Sequence, residues 1–170
     1  MSDNLSMNFG ATMALNSGAL AAGTNSGTVK TTVAISYLVD GQFYSKAITD
    51  NMSVAYTGPS VYQAPTGVGS VNGAFTGGSN GSTRLYLLCL STAGALSIVP
   101  GKIVDTADLA AGRVSLDFPD VPPNLCPIGA MRVALTASTT YVPGTTALAA
   151  TGVTTTFLNL ATVPANPLTA

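Results

Sequence analysis

The sequence predicts an all-β fold: a β-sandwich, jelly-roll or barrel-like single domain with an N-terminal arm and little helix. Three observations carry the prediction. Short runs of β-branched and aromatic residues recur along the chain. Gly, Pro, Asn and Asp clusters separate those runs at close intervals. The one stretch with both a helix start and a helix stop, Asp105 to Gly112, has room for only a short helix. At 170 residues the chain suits one domain, burying about 70% of its unfolded surface.

Residues 1–28 read as an arm, and 29–170 as the β-rich domain. The arm is small, polar and glycine-bearing, with Leu5, Met7, Phe9, Met13 and Leu15 spaced along it. It reads either as an extended arm or as a short helix. Its composition buries too little surface to order itself, so those five side chains are candidate partner-binding residues.

TTVAISYLVDGQFYSKAIT, Thr31 to Thr49, is the clearest local structure. Asp40-Gly41 suits a type I′ turn, because both positions tolerate positive φ. A two-residue loop pairs Val39 with Gln42 and Tyr37 with Tyr44. It also puts Val33, Ile35, Tyr37, Tyr44 and Ile48 on one face, the expected core side.

Residues 57–82 are rich in Gly and Pro and read as a long loop, often an interaction element. Tyr56 and Tyr62 are the candidate binding residues in this region. RLYLLCL and ALSIV flank Ala93-Gly94 as a second hairpin. LYLLCL is apolar on both faces and reads as a central strand. In DTADLAAG, Asp105 is placed to cap, Asp108 lies in the first turn, and Gly112 is placed to end the helix. VSLDF, MRVALTAS and VTTTFLNL read as further strands. LAAGRVSLDF resembles LAATGVTTTF, and Val99-Pro100-Gly101 matches Val142-Pro143-Gly144. These matches raise the expectation of one strand–turn–strand unit used twice, over 84–122 and 132–164.

Composition narrows function mainly by exclusion. Only 8% of residues are charged, against about 25% in an ordinary soluble domain. Such a surface is poorly protected against association, and it fits a chain that sits against other protein as a homo-oligomer. The net charge is −1 and the pI about 4.8. The six basic residues are scattered, so no stripe exists for nucleic acid. Mean hydropathy is +0.42, but no apolar run reaches the ~20 residues that cross a bilayer. The N-terminus has no basic segment followed by an apolar core, so no secretory leader is expected.

The sequence contains no His, the usual general base and metal ligand. No metal, cofactor or catalytic residue is expected. Asp105 with Asp108, and Asp117 with Asp120, are paired carboxylates, but they stand where caps and turns explain them. In FPDVPPNLCPIGAMRV, residues 118–133, four prolines surround Cys126. A nucleophilic thiol needs a cationic neighbour, and the nearest in sequence is Arg132. The stretch reads as a stiff corner with Cys126 buried. Cys89 and Cys126 are both expected to be structural.

FPDVPPNLCPIGAMRV, ISYLVDGQFYSKAITDN, LYLLCLSTAGAL and YVPGTTALAATGVTTTF together resemble small structural proteins of tailed bacteriophages, across roughly residues 30–165. The resemblance implies a non-enzymatic virion component, a head decoration or cement protein that binds and stabilises the major capsid protein shell. It further implies a β-rich subunit, often trimeric, located in the virion after assembly in the host cytoplasm. It carries over no functional residues. Alternatives are a tail tube, head fibre or baseplate subunit; a carbohydrate-binding β-sandwich using Tyr56 and Tyr62; and an aspartate-only hydrolase.

Overall fold

The computed structural model describes residues 11–58 and 73–159. The chain is mostly β, in several antiparallel sheets, and among the described residues no barrel closes. The centre is a four-stranded sheet in the order β12-β10-β8-β9, formed by β8 (Ser82–Ser91), β9 (Leu96–Asp105), β10 (Leu125–Leu135) and β12 (Val153–Asn159). Smaller sheets lie against it. One has the order β1-β4-β5, from β1 (Met13–Ala14), β4 (Ile35–Val39) and β5 (Gln42–Lys46). Another is β2-β3-β6, from β2 (Leu20–Ala22), β3 (Thr28–Thr31) and β6 (Met52–Ser53). The third pairs β7 (Phe75–Thr76) with β11 (Thr140–Tyr141).

LYLLCL occupies the centre as its two-sided apolar pattern predicts, and β8 is buried from Ser82 to Leu90. Its two faces serve two cores. Tyr86, Leu88 and Leu90 meet Ile35, Tyr37, Val29 and Phe75 of the smaller sheets. Leu85, Leu87 and Cys89 meet Leu109 and Leu116 on the other side. Each fully buried aliphatic side chain contributes about 1.5–3 kcal/mol. This strand therefore holds both halves together.

The cover on the second face starts with the predicted helix, α1 (Thr106–Ala110). Asp105 Oδ1 accepts from the N–H groups of Ala107 (2.8 Å) and Asp108 (3.3 Å). Gly112 follows at φ +68°, the left-handed conformation that favours glycine. The cap and stop signals were read correctly, and Leu109 is the side chain that the helix buries.

The β4–β5 hairpin has the expected register, with Tyr37 opposite Tyr44 and Val39 opposite Gln42. Asp40 and Gly41 have φ of +50° and +78°, as the type I′ turn requires. Ile35, Tyr37 and Val39 are buried, and Tyr44 stacks on Tyr37 at 5.7 Å. Val33 and Ile48, placed on the core side by alternation, are instead exposed. Pairing stops at Ile35 and Lys46, so the period-2 argument ends before it reaches them.

The boundary between arm and domain at residue 28 is not where the described chain divides. Residues 13–14 pair with β4, and 20–22 pair with β3. Ala14 and Leu20 are buried in the main core. From residue 11 onward the segment is part of the fold. Short apolar pairs such as these order by adding to a sheet edge, a gain that a single-segment composition argument does not include.

The duplication is not supported. Val99-Pro100-Gly101 lies inside β9, whereas Val142-Pro143-Gly144 forms a turn. Leu109-Ala110-Ala111 is helix and helix cap, whereas Leu148 to Ala150 is not helical. Arg84-Leu85-x-Leu87 and Arg132-Val133-x-Leu135 also match, and both lie in strands, β8 and β10. VSLDF, expected as a strand, pairs at Leu116 alone, whereas VTTTF lies in β12, so the two stretches do not share one order of strand, turn and strand.

Two bulges shape the central sheet. In β9 the register with β8 shifts between Tyr86↔Pro100 and Arg84↔Ile103. In β10 it shifts between Pro127 and Gly129. Each extra residue reverses which side chains face which core. Cys126 and Ile128 face the main core before the second bulge, and Met131, Val133 and Leu135 face it afterwards. Cys126 therefore lies within a strand and not in the corner, which is confined to the prolines before it. Pro127 sits at the bulge, before pairing with β12 begins at Gly129, where a missing N–H is tolerated.

Candidate functional site: an exposed sheet face

The sequence nominated seven partner-binding side chains. Leu5, Met7, Phe9 and Tyr62 lie outside the described residues. Met13 and Leu15 share one exposed face, and Tyr56 lies apart from them.

Met13 lies directly opposite Leu38, and Leu38 lies directly opposite Phe43. The three form a row across β1, β4 and β5. Opposed residues share a face, and this face points away from the core that Ala14, Tyr37 and Tyr44 cover. Met13 is 39% exposed and Phe43 63%, with Leu38 between them half-buried. Leu15 extends the apolar surface at 47% exposure, its N–H donating to Ser36 O at 2.9 Å. Sequence reasoning found Met13 and Leu15 but missed Leu38 and Phe43. The signal was present: in an alternating hairpin, both must face opposite to Tyr37 and Tyr44.

β5 is also the outer strand of its sheet, pairing only with β4 among the described residues. Its residues Gln42, Phe43 and Ser45 are exposed, and Lys46 is its single charge. An edge with so little charge is a template for another strand.

Tyr56 serves a different purpose. It packs against the main core, with glycine backbone against its ring. A Cβ at Gly58 would come within 2.6 Å of its Cζ, and one at Gly73 within 3.1 Å of its Cβ. Tyr56 also lines a groove of about 400 Å³ with Leu96, Ile98, Val99, Pro122 and Leu125. The groove walls are mostly aliphatic.

Several other polar groups have structural assignments. Asp108 pairs with Arg113 at 3.1 Å. Asp117 pairs with Lys102 and accepts from Ser115 Oγ at 2.9 Å. The Lys102 and Ser115 contacts hold its carboxyl below the usual range. Burial pushes the Cys89 thiol up to about 12 and Cys126 up to about 11, so neither is a thiolate at neutral pH. The two cysteines also face opposite sides of the sheet, which prevents them from bridging.

Arg84 is fully buried on β8. Its Nε donates to Gly101 O at 2.8 Å, and its Nη1 to Gly73 O at 3.1 Å. Its guanidinium lies 5.5 Å from the Tyr86 ring centroid, and Tyr86 Oη donates to the same Gly73 O at 2.6 Å. This group ties the β9 bulge to the end of the glycine-rich segment. Composition alone marks arginine as a surface residue, so its position inside β8 was the only clue.

Comparison with protein-family models, with curated proteins and with solved structures finds no match for this chain.

Proposed function

We propose that this chain is a non-enzymatic structural protein of a virion, a decoration or cement subunit that binds the major capsid protein shell. The observation that carries the reading is the apolar row Met13–Leu38–Phe43 on a sheet face beside an open strand edge. An exposed apolar row of this kind favours burial against another protein chain, a neighbouring copy or the shell. The low charge of the chain supports the same reading.

The test is co-sedimentation of the purified protein with undecorated capsids of the phage that encodes it, together with antibody labelling of intact particles viewed in negative stain. Saturable binding and surface labelling support the proposal. Label confined to the tail would replace it with the tail or baseplate reading. No binding and no labelling would refute it.

A further inference from the structure

We propose that the outer edge of β5 and the apolar row beside it receive residues 1–10 of a second copy of this chain, added as a strand. The inference rests on the chain alone and stands whether or not the virion reading does.

Residues 11 and 12 lie at the end of their sheet, beside the β4–β5 turn. Gly41 N–H donates to Ala11 O at 2.8 Å, and Asp40 N–H donates to Thr12 Oγ1 at 3.0 Å. Ala11 and Thr12 are thus level with the turn of the β4–β5 hairpin. β1 runs antiparallel to β4, so the direction towards residue 1 leads past that turn and off the sheet. β1 and β5 flank β4 on opposite sides. To reach its own β5 edge, the segment must reverse around the hairpin tip. A second copy meets it without a reversal.

The segment also has the right pattern. Leu5, Met7 and Phe9 alternate with Ser6 and Asn8, in phase with Met13 and Leu15. Alternation of this kind puts three apolar side chains on one face of a strand. Beside β5, that face continues the row ending at Phe43. Leu5 to Phe9 spans about 17 Å as a strand, the same length as the five residues of β5. The segment has no proline, and Asp3 is its only charged side chain. Main-chain bonds to a free edge supply affinity, and alternate side chains supply register.

The test uses the purified full chain in sedimentation velocity, from about 1 to 100 μM, with no capsid present. The wild type is expected to self-associate. Phe43→Lys, at an exposed position, is expected to weaken association at least tenfold with an unchanged far-UV circular dichroism spectrum. Removal of residues 1–10 is expected to do the same. A synthetic peptide of residues 1–10 is expected to bind the shortened protein and not its Phe43→Lys form. A monomeric wild type at 100 μM would overturn the proposal, as would an oligomer indifferent to both changes or a peptide that binds neither form. Self-association that survives while capsid binding fails would remove the virion reading and leave this one standing.

Discussion

Replacing Arg84 by Met tests how the centre of the fold is held. Arg84 is fully buried, and it donates to Gly101 O and Gly73 O at 2.8 and 3.1 Å. Met keeps most of the stem volume, so the cavity is small. The loss includes these two charged hydrogen bonds, each contributing about 1.5–3 kcal/mol. Relief from burying a guanidinium offsets part of that. Burial lowers the pKa of this group, but arginine retains its proton across the working range. The net expected loss is about 2–4 kcal/mol. For a domain of this size, that lowers the melting temperature by roughly 4–16 °C. Urea unfolding should show a lower midpoint with an unchanged slope. Arg84→Lys, with a charge but no fork, should fall between wild type and Met. A midpoint equal to or above wild type in Arg84→Met would refute the reasoning, because the guanidinium would then cost as much to bury as it returns.

Three further outcomes are expected. Stability should be flat through neutral pH and fall from about pH 9 to pH 12. The unfolded thiols ionise near 9, whereas burial holds Cys89 and Cys126 protonated to about 12 and 11, so over that window the unfolded state binds fewer protons and is favoured as pH rises; urea midpoints across pH 7–11 check this. Gly129→Ala should lower the midpoint clearly, because a Cβ there would strike Leu20 Cδ1 and lie 2.6 Å from Leu158 O, where the sheets meet. Asp105→Ala should cost about 1 kcal/mol through loss of the α1 cap, measured by thermal unfolding, and an unchanged melting temperature would show that α1 is held by Leu109 alone.

The parts of the fold legible in the sequence were those set by neighbours along the chain. Asp40-Gly41 fixed a turn and therefore a register, Asp105 and Gly112 bounded a helix, and LYLLCL required two covered faces. What the sequence hid depended on partners far away. Both bulges reverse the facing of the residues beyond them, so alternation read through Cys126 or Pro100 assigns the wrong side. The order of residues 11–28 comes from pairing with β3 and β4, which no local composition reveals. Arg84 is buried because carbonyls from two distant segments converge on it. The exposed row was half legible: Met13 and Leu15 stood out in a polar segment, whereas Leu38 and Phe43 were hidden inside a hairpin read only for its core side.

The position of β8 and β10 late in the sequence also sets an order of events during synthesis. Ala14, Leu20, Val29, Ile35 and Tyr37 are covered by side chains from residues 86–135. When residue 54 leaves the ribosome, the surface that will cover them has not yet been made. At about 5–20 residues per second, reaching residue 135 takes roughly 4–16 s. Throughout that interval the first strands hold apolar groups with nowhere to place them. The Thr, Ser and Asn residues interleaved among them keep each apolar run short, and a nascent chain that must wait for its other half needs that spacing to stay dissolved.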